Sequence, residues 1–264
     1  RGGRPAAGMF LSSGDPTTAE ICAGAGLDYL LIDAEHAPLT LQDVLAQLRT
    51  IAGYAVPVMT RVPALDTVAI KQFLDLGAQT LLVPMVDDAA MARRAVAAAR
   101  YPDGSAEGGV RGVGSALARS GRWNRIPGYL PGAADHVSVI VQIETAAGVR
   151  NAEEIAAVDG IDGVFIGPSD LSASLGLLGQ QSHPDVVAAV KKVIAEVKAA
   201  GKIVGVNAFV PAQADAYAAA GADYVNVGAD VALLARAAEA LADRWCPEPS
   251  DAAADGEGAP RASY

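Results

Sequence analysis

Residues 23–33, AGAGLDYLLID, and residues 219–228, AAGADYVNVG, are built alike: a helix end of small residues, a Gly, an Asp, then a short apolar run. The same joint recurs at 75–84 (DLGAQTLLVP), 158–167 (VDGIDGVFIG) and 199–207 (AAGKIVGVN). A Gly that closes a helix and opens onto β-rich residues marks a helix-to-strand connection. Adding GMFL at 8–11, VPVMTRV at 56–62 and VSVIVQIE at 137–144 gives eight strands, most of them separated by helix-like segments. This pattern predicts an α/β fold, a single-domain (β/α)8 TIM barrel over residues 1–246 of the 264; such barrels typically need about 250 residues. The strands are nearly continuous in apolar character, as parallel strands covered on both faces must be. An open doubly wound sheet would need two edge strands, and none of the eight is marked as one by a charge or Pro at its centre.

Two segments break the even spacing. Between TLLVPMV and VSVIVQIE lie about fifty residues that include YPDGSAEGGVRGVGSALARSGRWNRIPGYL (101–130), and a connection that long is more often functional than idle. It is expected to be a lid or a subunit-contact loop. The end of the chain, PEPSDAAADGEGAPRASY (247–264), is rich in Pro, Ala and acid and has little to bury, so it reads as a disordered tail.

The formal charge of -10 and a pI near 4.7 argue against nucleic acid or an anionic membrane as partner, because both would repel the chain at long range. Cys22 and Cys246 are the only cysteines and stand in no metal-like spacing, which points to free thiols in a reducing compartment. The opening RGGRPAAGMF has neither a start Met nor an apolar signal core, and no uncharged apolar run is long enough to span a bilayer. A cytoplasmic protein, trimmed at its start, is the expectation.

On a barrel, the C-terminal ends of the strands form the active-site mouth. Residues 30–38, LLIDAEHAP, run from burial into Asp33, Glu35 and His36 at such an end. Arg61 ends VPVMTR, Gln142 and Glu144 end VSVIVQIE on one side of the strand, and Asp170 follows GVFIG in the loop GPSDLS. Each alone is as readily a solvated strand end or a structural ion pair. Together, six polar groups (Asp33, His36, Arg61, Gln142, Glu144 and Asp170) on four strand ends point to chemistry. Two carboxylates on neighbouring strands, supplemented by water and substrate oxygens, suit Mg2+ or Mn2+; spacing leaves open a pair that shares one proton or pairs with Arg61. A histidine beside them can act as base, with Asp33 to orient it, and Arg61 offers a fixed charge to an oxyanion.

The stretches LLIDAEHAP, IKQFLDLGAQTLLVPMV, RGVGSALARSGRWNRIP, VQIET and GVFIGPSDLSASLG resemble, over nearly the whole chain, the metal-dependent pyruvate aldolases of the 4-hydroxy-2-oxoheptanedioate aldolase family. The resemblance implies a (β/α)8 fold, a hexamer built from trimers, and cleavage of 4-hydroxy-2-oxo acids to pyruvate and an aldehyde with a divalent cation (Mg2+, Mn2+ or Co2+). By the same resemblance His36 stands for the general base and Arg61 for the residue that stabilises the enolate. Glu144 and Asp170 stand for the metal ligands and Gln142 for a substrate-binding residue. Asp75, in FLDLG, stands for an acid that raises the basicity of the histidine. The backbone at Ser169 and Asp170 stands for the region that holds the pyruvate carboxylate, where Ser169 replaces the family's usual Ala, and DAEH replaces the usual DGEH.

Position and resemblance conflict at Asp75. It ends the helix that leads into TLLVPMV, which puts it at the strand-start face of its own barrel, away from His36. Either it is a helix-end acid or it reaches the histidine of a neighbouring subunit. Three other functions remain in view. A Schiff-base aldolase needs a Lys at a strand's C-terminal end, whereas Lys71, Lys191, Lys192, Lys198 and Lys202 fall in helices or before a strand. An acyl-CoA lyase on the same barrel would need a basic surface for its nucleotide. A non-catalytic oxo-acid-binding barrel would bind without turnover.

Overall fold

The computed structural model describes residues 4–105 and 108–246; the expected tail at 247–264 lies outside them. In chain order the elements begin β1 Ala6–Leu11, α1 Pro16–Ala23, β2 Tyr29–Asp33, α2 Leu41–Ile51, β3 Val58–Arg61, α3 Thr67–Asp75, β4 Thr80–Val83 and α4 Ala89–Ala99. A short α5, Tyr129–Gly132, precedes β5 Ser138–Ile143, then α6 Ala146–Arg150, α7 Ala152–Ala156, β6 Gly163–Ile166 and α8 Pro168–Ser174. The chain continues through α9 Pro184–Ala199, β7 Ile203–Asn207, α10 Pro211–Ala219, β8 Tyr224–Ala229 and α11 Asp230–Trp245. The eight strands pair in sequence order, all parallel, and β8 closes on β1, so the expected barrel forms.

The joints that identified the fold have a backbone reason. Gly26, Gly77, Gly160, Gly201 and Gly221, one in each, all take positive φ between 73° and 104°, a region in which an L side chain is crowded and Gly is not. At the other end of the helices, Asp15, Thr40, Asp66 and Asp88 cap their first turns by accepting from Thr18, Asp43, Ala69 and Met91 amides.

Alternation along the strands makes two cores. Leu30, Ile32, Leu81, Val83, Val139 and Val141 face outward and pack under the helices, while Phe10, Tyr29, Leu31, Met59, Leu82, Ile140, Phe165 and Tyr224 fill the barrel interior. Two inner positions are Gly because aromatic rings occupy the space: a Cβ at Gly8 would stand 2.3 Å from the Tyr29 ring, and one at Gly205 2.1 Å from Tyr224. The inner rows explain why an apolar strand ends in titratable groups. Tyr29 and Leu31 are followed, two residues on, by Asp33; Met59 by Arg61; Ile140 by Gln142 and then Glu144. Each row climbs from an apolar floor to a polar mouth.

The 101–130 segment is not a lid over its own mouth. Arg111 Nη2 binds Asp75 Oδ1 at 2.9 Å, and Arg119 donates to the carbonyls of Leu76 and Leu48, so the loop is tied to the ends of α3 and α2 at the strand-start side. Its role as a subunit contact is left standing. Both cysteines are free, Cys22 buried and Cys246 exposed. Among the described residues no helix is long and apolar enough to cross a membrane.

Candidate active site

Arg61 is the hub of the mouth. Its Nε and Nη2 bind the two Asp33 oxygens at 2.9 and 2.8 Å, both side chains being buried. Its Nη1 stands 2.9 Å from Glu35 Oε2, and its guanidinium lies over the Phe10 ring, 4.9 Å from the centroid. A planar fork gripped on two sides and stacked on a third cannot swing, which fixes where its charge is felt. Asp33 also accepts from the Glu35 and His36 amides, so it holds the turn that presents them.

This corrects the expected support for the histidine. Asp33 spends its oxygens on Arg61 and on backbone amides and does not orient the His36 ring. The imidazole is 61% exposed, and the acid beside it is Glu35, whose Oε2 is 3.8 Å from Nε2. Glu35 lay inside the quoted DAEH but carried no assigned role; the signal was the burial of the turn, which sequence does not display.

Across the mouth, Glu144 is buried, bound by two groups and given space by a third. Met85 N donates to Oε1 at 2.8 Å, Gln142 Nε2 donates to Oε2, and Gly167 makes room: a Cβ there would be 2.7 Å from Oε2. Met85 adopts φ 56°, a strained setting for a side chain other than Gly, to aim its amide at the carboxylate. Neither Met85 nor Gly167 has a sequence signal, since each acts through backbone conformation.

Burial pushes Glu144 up to about 7, with the charges of Glu35 and Asp170 adding to the rise and the Gln142 and Met85 hydrogen bonds opposing it. Burial likewise pushes Glu35 up to about 7 against the pull of Arg61, with Asp33 and Asp170 contributing. Three carboxylates from β2, β5 and β6 thus repel one another across one cavity mouth. Asp170 sits in the first turn of α8 rather than in a loop, and the amides of Ser169 and Asp170 fall where helix N–H groups have no intrahelical acceptor. Buried Gln142 Oε1 has no partner.

This donor set fits a divalent cation held by Glu144 and Asp170. Repelling oxygens and a spare amide carbonyl are relieved by positive charge. Among the described residues no three His, Cys, Asp or Glu side chains are close enough to hold a metal by themselves, so water and substrate would complete the shell. Asp75 is not brought to His36 within the chain; it ends α3 and pairs with the fully buried Arg111.

The HpcH/HpaI aldolase/citrate lyase family model matches residues 6–237, almost the entire barrel. The chain belongs to the HpcH/HpaI aldolase/citrate lyase family. It is therefore an aldolase, a carbon–carbon lyase. It is 54% identical to the hydroxypyruvate/pyruvate aldolase of Deinococcus radiodurans, over 91% of this chain and 86% of that one. It is 52% identical to the 4-hydroxy-2-oxo-heptane-1,7-dioate aldolase of Salmonella dublin, over 97% of this chain and 96% of that one. Among solved structures, an HpcH/HpaI aldolase/citrate lyase family protein from Burkholderia cenocepacia superposes with a TM-score of 0.86 at 42% identity, covering 92% and 95% of the two chains. The HpcH/HpaI membership and the shared barrel thus agree with the resemblance read from the sequence.

Proposed function

We propose that this lyase cleaves and forms 4-hydroxy-2-oxo acids through a pyruvate enolate, with 4-hydroxy-2-oxoheptanedioate as the substrate best supported by its relatives. The observation that carries the reading is the immobilised Arg61, which shares one mouth with the buried Glu144 and Gln142. A divalent cation at Glu144 and Asp170, Mg2+, Mn2+ or Co2+, would supply Lewis acidity toward the 2-oxo group. The first-turn amides at Ser169 and Asp170 receive the carboxylate of the oxo acid, and Gln142 hydrogen-bonds it. His36, exposed at the mouth, takes the proton of the C4 hydroxyl directly or through water. The C3–C4 bond breaks, its electron pair moves into the enolate, and the aldehyde leaves. Arg61 faces the oxygen where that charge develops, a kind of stabilisation worth about 3 kcal/mol per donor. Protonation at C3 then gives pyruvate.

We also propose that the working form is a homohexamer, a dimer of trimers, in the cytoplasm. Supporting this, α11 packs by its first turn, while Leu233, Leu234, Leu241 and Trp245 stand exposed on it, an apolar face that monomers rarely present. The deciding experiment is release of pyruvate from a 4-hydroxy-2-oxo acid with and without chelator. Glu144→Ala and Asp170→Ala should abolish turnover and weaken Mn2+ binding. Release undiminished by chelator would remove the metal from the reading, and no release from any 4-hydroxy-2-oxo acid would remove the substrate class.

A further inference from the structure

A cavity of about 140 Å3 lies on the side of the barrel away from the mouth, lined among others by Gly77, Gln79, Arg119, Ser120, Arg122 and His136. Gln79 directly precedes β4 and Val137, also in its wall, directly precedes β5, so the cavity opens at the strand-start face, where none of the steps above operates. A single water needs about 10–15 Å3 measured in this way. The space therefore admits a polyatomic ion with some of its hydration.

The chemistry of the lining is one-sided. The chain has a formal charge of -10, yet the cavity wall carries arginines and no carboxylate. Among the described residues the arginines and lysines that pair with acids are Arg4, Arg61, Arg111, Lys192, Lys198 and Arg236. Arg49, Arg119 and Arg122 have no such partner. Burial and the charges of Arg122 and Arg49 hold the Arg119 guanidinium below its ordinary range, the mark of cations crowded together without a counter-charge. Arg119 gives one N–H each to the Leu76 and Leu48 carbonyls at 3.2 and 3.4 Å, which leaves the rest of its fork unspent. Beside it Ser120 Oγ is buried and has no partner.

The backbone holds this arrangement at a cost. Arg122, Trp123 and Asn124 take φ of 51°, 54° and 65°, three successive residues other than Gly in the left-handed region, which crowds an L side chain. In the same turn Arg122 N donates to the Arg119 carbonyl at 3.0 Å and Trp123 N to that of Ala118 at 3.1 Å. The turn folds Arg122 back toward Arg119, against the repulsion of the two charges. Gly77 makes the matching concession below: a Cβ there would stand 2.5 Å from Arg119 Nη1.

We infer that this cavity is a binding site for a small oxyanion with two negative charges, of the size of inorganic phosphate. Several guanidiniums without a counter-charge call for more than one negative charge, and forked N–H groups beside a hydroxyl suit the oxygens of a tetrahedral ion. The ion ties the 101–130 segment to the joint between α3 and β4 and stabilises the folded chain by linkage. The inference stands apart from the aldolase reading, because binding is measured without turnover.

The test is calorimetric titration of the full chain, in buffer with Mg2+, with sodium phosphate at constant ionic strength, alongside Tm. Phosphate should bind and raise Tm. Arg122→Gln should weaken it about ten-fold or more, the effect of losing a hydrogen bond between charged groups. Arg119→Gln should weaken it further, and because that variant also loses two carbonyl ties, the exposed Arg122 keeps the test alive if it does not fold. Arg125→Gln removes the same charge from the same loop, but Arg125 lies over the Trp123 ring, 5.9 Å from its centroid, and lines no part of the cavity; it should bind phosphate as wild type does. Glu144→Ala, altered only at the mouth, should do so too. Competition by glycerol 3-phosphate supports an esterified phosphate as the ion, and its absence supports the free ion. Failure of phosphate to bind wild type overturns the inference, as does an unchanged affinity in Arg122→Gln. An equal loss in Arg125→Gln overturns it by reducing the effect to general charge, and loss of binding in Glu144→Ala overturns it by moving the ion to the mouth.

Discussion

At the scale of single residues, the mouth is a balance of charge held in place by Arg61. Arg61→Lys should slow both aldol cleavage and proton exchange at the pyruvate methyl group by about a hundred- to a thousand-fold, because both pass through one enolate and an ammonium cannot reproduce the fork. His36→Ala separates the two reactions: cleavage should fall while methyl exchange, followed by loss of the proton signal in D2O, outlasts it. If Arg61→Lys kept normal rates in both assays, its role would be wrong. Glu35 and Glu144 add a pH signature. With folded-state values near 7 against an ordinary 4.5, the folded protein holds protons that the unfolded chain gives up. Their stabilising contribution is complete below the ordinary value and is lost as pH rises through about 7, so the Tm of metal-free protein should fall from about pH 5.5 to about pH 7.5. Mn2+ should raise Tm more at the higher pH, where the carboxylates are ionised, and Glu35→Gln/Glu144→Gln should flatten the metal-free profile. A flat wild-type profile would show that burial does not hold these acids. His36, Arg61, Gln142, Glu144 and Asp170 could be read from the sequence because polar residues at the ends of apolar strands stand out. Glu35 could not, because its importance lies in a burial and an ion pair that only the folded turn creates.

At the scale of elements, the eight strands were legible because a physical need recurs: each sharp helix-to-strand joint needs a residue that tolerates positive φ, and the five glycines mark five of the joints. The long 101–130 connection was legible as an exception but not in its placement, since the ties of Arg111 and Arg119 to α3 and α2 join residues far apart in sequence. Asp170 read as a loop residue because α8 is short and begins at Pro168, which signals a turn and a first helical position equally well. Glycines inside the barrel carry the sharpest test of the element packing. Gly167→Ala places a methyl 2.7 Å from Glu144 Oε2, at the flexible end of a side chain, so the fold should survive with Tm little changed. The carboxylate must move, and kcat/KM should drop about a hundred-fold, as misplacement near 1 Å does. Gly205→Ala meets the buried Tyr224 ring at 2.1 Å and should destabilise by about 1–3 kcal/mol in urea unfolding. A fully active Gly167→Ala protein would mean that Glu144 need not sit where it does.

At the scale of the whole molecule, Asp75 links one barrel to the next. In its own chain it lies at the strand-start side, with Oδ1 engaged by Arg111 at 2.9 Å and a side chain still 25% exposed. Among the described residues Arg111 engages Oδ1 and not Oδ2, and the loop that carries Arg111 also carries the exposed Leu117 and Trp123, a face suited to another copy. If subunits pack there, Asp75 can stand beside the exposed His36 of a neighbour and raise its basicity, which makes the assembly part of the active site. Asp75→Asn keeps an oxygen for Arg111 but removes the anion, so the acidic limb of the pH–rate profile, set by the general base, should move to lower pH, since a histidine that loses an anionic neighbour binds its proton less tightly. Mixing His36→Ala with Asp75→Asn protein under conditions of subunit exchange should then restore activity, because some mixed interfaces carry both residues intact. The recovered rate should grow with the extent of exchange measured by native mass spectrometry. Exchange without recovery, or a monomer as active as the assembly, would confine Asp75 to anchoring Arg111 and would leave each barrel chemically complete on its own.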